Sequence, residues 1–154
     1  MTVPVLVAAA LLILLLVILV PRLLLHRAQD RLAGRVVAER GPLKLLTRAE
    51  RVVGLYRRAP GVLALSEGEI RFDGLFGEAE ILPTSRIEKV VTGKRMGSGR
   101  LLLRLEILRL TRTGGSELEF VMSRASASAW RSHLGLWAVA ERTASRDRVV
   151  PGRS

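Results

Sequence analysis

The sequence has no cysteine and only two histidines, His26 and His133. Disulfides, thiolate metal sites and cysteine nucleophiles are thereby excluded. Two histidines so far apart in the chain do not make a histidine-rich metal site. A small domain without disulfides depends on its hydrophobic core, which suits a reducing compartment. Aromatic residues are scarce, with two Trp, one Tyr and three Phe. Acids are outnumbered, 14 Asp and Glu against 25 Lys and Arg, for a formal charge of +11. No nucleophile stands beside a base. Ser132 adjoins His133, but successive residues on a helix point apart. The chain therefore reads as non-enzymatic, with no catalytic residue, no metal site and no cofactor. The acidic pairs Glu78/Glu80 and Glu117/Glu119 read as the solvent face of strands rather than as a general acid and base.

What the sequence does have is one long uncharged run, Val3 to Val20, without Gly and with a single Pro, Pro4. As a helix these residues would span roughly 27 Å, close to the hydrocarbon thickness of a bilayer. Leu23-Leu24-Leu25 prolongs the run beyond Pro21 and Arg22. It is expected to be a transmembrane helix. A cleaved leader would need a basic n-region, a shorter apolar stretch and a small-residue cleavage site, where this run ends Val20-Pro21-Arg22. An uncleaved signal anchor is the expectation. Arg22, Arg27, Arg31 and Arg35 follow it, whereas Met1-Thr2 carries only the α-amino group. The positive-inside rule then puts the N-terminus outside and the C-terminal part in the cytoplasm, across the plasma (inner) membrane.

From His26 to Gly41, Leu25, Ala28, Leu32 and Val36 fall near helical spacing between charged residues, which predicts a helix extending or following the anchor. Gly41-Pro42 stops it. Two readings fit: a basic amphipathic segment lying on anionic headgroups, or a solvated stalk whose arginines only fix topology. Thr47-Arg48-Ala49-Glu50 has capping-box spacing, but Arg51 to Tyr56 is β-branched and aromatic and leads to Pro60-Gly61. The expectation is a strand over about Glu50–Arg57 and a turn at Pro60-Gly61. Beyond Gly61 the apolar period is two. Val62–Leu65 form a strand, Glu67-Gly68 a hairpin loop, and Ile70 and Phe72 share a face. Ala79 and Ile81 alternate with Glu78 and Glu80 up to Pro83. Arg86–Thr92 forms a strand with Ile87 and Val91 on one face. Leu101 to Ile107 is read as one long strand with a bulge at Ile107-Leu108. Gly114-Gly115 is a hairpin turn, and Leu118, Phe120 and Met122 alternate inward. A helix over about Ser126–Arg142 closes the domain, with Ala127, Trp130, Leu134, Trp137 and Ala138 on one stripe and Ser123 or Ser126 as its cap. The expected division is 1–25 anchor, 26–44 juxtamembrane helix and linker, 45–142 folded domain, and 143–154 disordered tail.

Between two of these strands lies a glycine-rich basic loop, Gly93 to Arg100. Lys94, Arg95 and Arg100 flank Gly97-Ser98-Gly99, with Lys89 nearby. Such loops let backbone amides approach an anion, so these four residues are the candidate contact for an anionic lipid or a partner. A solvated turn is the competing reading. The loop is neither a P-loop, since it lacks the upstream Gly and the Ser/Thr after Lys94, nor a dinucleotide loop, since it precedes a strand. Nucleic acid is not the expected partner, because the arginines are interleaved with acids and the aromatics are few.

About seven antiparallel strands followed by one helix resembles a pleckstrin-homology-like (PH-like) domain, in particular its GRAM and bacterial branch. The residues carrying the resemblance are Glu50-Arg51-Val52-Val53, then Gly61-Val62-Leu63-Ala64-Leu65-Ser66 followed by Ile70-Arg71-Phe72. Ile81-Leu82-Pro83, Ile87-Glu88-Lys89-Val90 and the closing helix with Trp130 and Leu134 complete it. The resemblance implies a bent sandwich or partly open barrel with the helix plugging one end. It also implies a binding or scaffold module, for a protein partner or the anionic membrane surface. The alternative is a structural or regulatory subunit of a membrane complex acting through its transmembrane helix.

Overall fold

The computed structural model describes residues 3–147 except Tyr56, Ser98 and Arg100, leaving out the side chains of Val3 and of residues 136–147. The first element, α1, spans Val3–Arg40, 38 residues without interruption, or about 57 Å. Pro21 lies inside it and deprives the Val17 carbonyl of its partner, yet the helix runs on. Gly41, at φ 72°, ends it in the left-handed conformation, and its N–H donates to the Val37 carbonyl. From Val5 to Leu24 the large apolar side chains of α1 are exposed. The helix is long and apolar enough to cross a membrane.

The lower part of α1 is neither a free stalk nor free to lie on headgroups along its apolar stripe. Gln29 and Val36 are buried, and Leu25, Ala28 and Leu32 are half-buried, because this stripe packs on β1 (Leu45–Val53) and β2 (Arg57–Leu65). Val62 and Ala64, which alternate with the core-facing Leu63 and Leu65, are buried as well. A strand with both faces covered needs apolar residues at every position, which explains the continuous run in β2.

The remaining elements are β3 (Glu69–Gly74), β4 (Ala79–Pro83), a 3-10 turn at Thr84–Arg86, β5 (Ile87–Gly93), β6 (Leu105–Arg112), β7 (Glu117–Ser123) and α2 (Arg124–Asp147). The seven strands form one antiparallel sheet in the order β4-β3-β2-β1-β7-β6-β5. Leu63, Leu65, Ile70, Phe72, Leu82, Leu108, Leu110, Phe120 and Met122 line its inner face, and Ala127, Trp130 and Leu134 of α2 fill the end. Trp130 is fully buried and donates through Nε1 to Thr47 Oγ1 at 3.0 Å. Ser123 Oγ caps α2, accepting from the Ser126 N–H at 3.1 Å. Trp137, Ala138 and Arg142 lie where side chains are not described. The backbone of α2 continues to Asp147, past the expected end of the helix.

Several local expectations are corrected. Thr47–Glu50 is strand, not a capping turn, and the chain reverses at Gly54-Leu55, not at Pro60-Gly61. Pro60 sits inside β2 opposite Glu50. Its carbonyl accepts from Leu75 just where the β3 ladder ends, so the missing N–H falls at the rim of the sheet. In β4 the phase is inverted: Ile81 is exposed while Glu80 and Leu82 turn inward. In β5 the register shifts between Ile87 and Lys89, so Val90 joins Ile87 against the core and Val91 faces out. Leu101–Arg104 belongs to the loop before β6, and β6 pairs with β7 without a bulge. Ile107 and Leu108 are both buried because they serve two clusters, one on each face of the sheet.

The candidate binding surfaces

β1 pairs with β2 along its full length, but with β7 only at Glu50 and Arg51. Below that point the two strands splay. The opening is a groove of about 410 Å³ on the outer side of the sheet, lined by His26, Gln29, Arg48, Glu50, Leu105 and Ser126 among others. One wall is α1, through His26 and Gln29. Gln29 Nε2 donates to the Gly61 carbonyl at 3.0 Å, and Arg48 Nε donates to Asp30 Oδ1 at 2.9 Å. Arg48 also reaches His26 Nδ1 at 3.4 Å, and Glu50 pairs with Arg58 at 3.0 Å. His26 therefore belongs to the groove, a role its neighbours in sequence did not signal. Arg48 and Glu50 are thus each balanced by an opposite charge, Asp30 and Arg58.

The glycine-rich loop is folded back over the outer face of the sheet. Met96 and Leu102 are buried there against Ile107 and Val121, and Arg95 bridges to Leu101. The Gly97 N–H donates to both oxygens of Glu119, at 3.0 and 3.2 Å. Arg109 Nε donates to the same carboxylate at 2.8 Å. The position where a glycine amide would meet an anion is thus filled by the chain's own Glu119, whose side chain is only 11% exposed. Glu119 and Glu80 were expected on solvent faces, and neither is free there. Glu80 is held between Arg51, at 2.9 Å, and Arg112, tying the edge strand β4 to β1 and β6. Arg51 Nε and Arg112 Nε are buried without a partner.

The described contact residues, Lys89, Lys94 and Arg95, are not gathered into one site. Lys94 and Arg95 are exposed on the loop, and Arg100 lies outside the described residues. Lys89 is exposed on the edge strand β5 opposite Thr111, while the loop starts beyond Ile107, roughly 13 Å along the ladder. Arg22, Arg27, Arg31 and Arg35 are all exposed. Arg27, Arg31 and Arg35 recur every fourth residue, making a row on the side of α1 turned away from the sheet. Among the described residues no three His, Asp or Glu are grouped to hold a metal ion.

The chain carries a PH-like fold behind its long N-terminal helix, as the meandering strand order and the closing helix define it. The crystal structure of the C-terminal domain of an unknown protein from Leishmania infantum is similar to it, with a TM-score of 0.50 and 12% identity over 72% of this chain and 92% of that one. The pleckstrin homology domain of USP37 aligns with a TM-score of 0.46 and 15% identity over 63% of this chain and 99% of that one. At 12% identity the Leishmania domain is similar in fold alone. No protein-family model and no curated protein matches the chain.

Proposed function

We propose that this chain is a single-pass membrane protein that holds a PH-like binding module against the inner face of the plasma membrane, with its N-terminus outside. The module serves as a scaffold for a protein partner, whose segment enters the groove between α1 and the β1–β7 opening. The observation carrying this reading is the continuity of α1. One unbroken helix is bare over Val5–Leu24, apolar there except for Arg22, and docked on the sheet from Leu25 to Arg40. A soluble role would leave that apolar length in water, while a flexible tether would not bury Gln29 and Val36.

The test begins with topology. The chain lacks cysteine, so Glu67→Cys supplies a unique thiol on the exposed β2–β3 turn. A membrane-impermeant maleimide is expected to label it only after cells are lysed; labelling of intact cells would put the domain outside. A photocrosslinking residue at Leu46 or Ser126, in the groove, is expected to yield a protein adduct that is absent when the residue is placed at Glu67. Equal adducts at the three positions would remove the groove from the reading. Loss of the adduct on exchanging Val3–Val20 for an unrelated transmembrane helix would instead favour a subunit acting through its anchor.

A further inference from the structure

The docking of α1 fixes which end of the domain faces the bilayer. Arg40 pairs with Glu69 at 3.2 Å and the Lys44 N–H donates to the Leu65 carbonyl. Toward the anchor, Gln29 meets Gly61. Eleven helical residues, about 16 Å, therefore run beside four residues of β2, about 13 Å. Helix and strands lie nearly parallel, and the β1–β2 turn points along α1 toward its N-terminus. From Gly61 to the last pair, Val53–Arg57, is a further four residues, or about 13 Å. The same rise along α1 leads from Gln29 to about Val20, the end of the charge-free run. The β3–β4 turn reaches the same end, since Gly61 pairs with Gly74 and the Leu75 N–H donates to the Pro60 carbonyl at 2.9 Å.

Each of these two turns carries an exposed apolar side chain. Leu55 is 64% exposed and Phe76 is 78% exposed, with Val53 behind Leu55. Arg57 and Arg58 open β2 just beyond the first turn, paired with Glu78 and Glu50. The turn at the opposite end of the same strands, Ser66-Glu67-Gly68, is polar. Single exposed apolar residues are ordinary. Two large ones on adjacent turns, at the depth where the anchor leaves the bilayer and backed by arginines at headgroup level, match a lipid surface. The β6–β7 turn, Thr113–Ser116, has no large apolar side chain, so the contact is confined to two turns.

We propose that Leu55 and Phe76 insert into the bilayer that α1 crosses, giving the domain three points of attachment and one fixed face toward the lipid. This rests on the membrane-anchored reading above. The test uses the full-length chain in phosphatidylcholine–phosphatidylglycerol vesicles. It carries one environment-sensitive fluorophore at a time, on Leu15→Cys, Leu55→Cys, Phe76→Cys or Glu67→Cys. Labels at 55 and 76 are expected to emit to the blue of the label at 67 and to be quenched several-fold more by spin-labelled acyl chains. If the label at 15 is quenched while those at 55 and 76 match the one at 67, the insertion is overturned and the anchor stands. A label at 15 that lipid does not quench overturns the anchor and the insertion together. All four sites are exposed, so the labels leave the core intact, which an unchanged far-ultraviolet spectrum checks.

Discussion

Gln29 on α1 and Gly61 on β2 are joined by a buried hydrogen bond across 32 residues of sequence, and this pair couples the helix to the sheet. Replacing Gln29 by Ala removes the donor and leaves the Gly61 carbonyl and a small void. A loss of about 1–3 kcal/mol is expected, measured by urea unfolding of the full chain in micelles. An unchanged midpoint would mean that water replaces the amide without cost.

Gly61 itself admits no side chain. A Cβ there would come within 2.6 and 2.8 Å of the Phe72 ring and collide with the Asp73 carbonyl. Gly61→Ala is therefore expected to destabilise more than Gln29→Ala, by about 3 kcal/mol or more, and to reduce folded yield. Gly93→Ala, with open space around it, is the control and should be near neutral.

Trp130 unites the core and its only described polar tie to β1. Trp130→Ala is expected to cost about 3–5 kcal/mol, much of the stability of a domain this size. Trp130→Phe keeps most of the buried ring area and loses the bond to Thr47, so it should cost clearly less. Denaturant curves for the two variants separate packing from hydrogen bonding; equal losses would assign the whole effect to the indole N–H.

Glu119 holds the basic loop down. Glu119→Ala leaves the Gly97 amide and Arg109 without their shared acceptor. Hydrogen exchange at Gly97 is expected to quicken at least tenfold, corresponding to about 1.4 kcal/mol of local opening. If that variant also gains affinity for anionic vesicles at low salt, and loses it on changing Lys94 and Arg95 to Glu, the loop's anion site is real and self-occupied. Slow exchange at Gly97 in the variant would show that Met96 and Leu102 alone anchor the loop.

Glu80 should be the sensitive member of the ion cluster. Its removal leaves Arg51 and Arg112 facing each other, so Glu80→Ala is expected to cost more than Arg112→Ala. The difference should be on the order of 1–2 kcal/mol at moderate salt, since these groups are partly exposed. Equal thermal midpoints for the two variants would argue against a shared-carboxylate role.

The order of strands and the inward stripe of α2 were legible because each obeys a single period on one buried face. Ile70 with Phe72, Leu118 with Phe120 and Met122, and Trp130 with Leu134 all fell where alternation or helical spacing put them. Periodicity is weakest where a second layer covers the sheet. Val62 and Ala64 are apolar because α1 lies over them, and Ile107 because Met96 and Leu102 do, so the period blurs at these positions. Pro60-Gly61 looked like a turn because a strand can tolerate that pair only at the rim of its ladder, a fact of pairing that no single stretch reveals. The groove was invisible for the same reason: His26, Arg48 and Ser126 are brought together by docking, not by spacing.

The unbroken course of α1 also has a mechanical meaning. On the membrane-anchored reading proposed above, α1 is a shaft docked at one end and embedded at the other, and its residue count sets the compass bearing of everything mounted on it. One residue added between Leu24 and Leu25 would advance the domain by about 1.5 Å and swing it by about 100° around the axis. The groove would then look out over a different side of the anchor, with every contact inside the domain unchanged. On the same reading, a tilt or rotation of the apolar half would be carried along α1 toward the groove, so whatever grips the apolar surface of α1 also steers the aim of its far end.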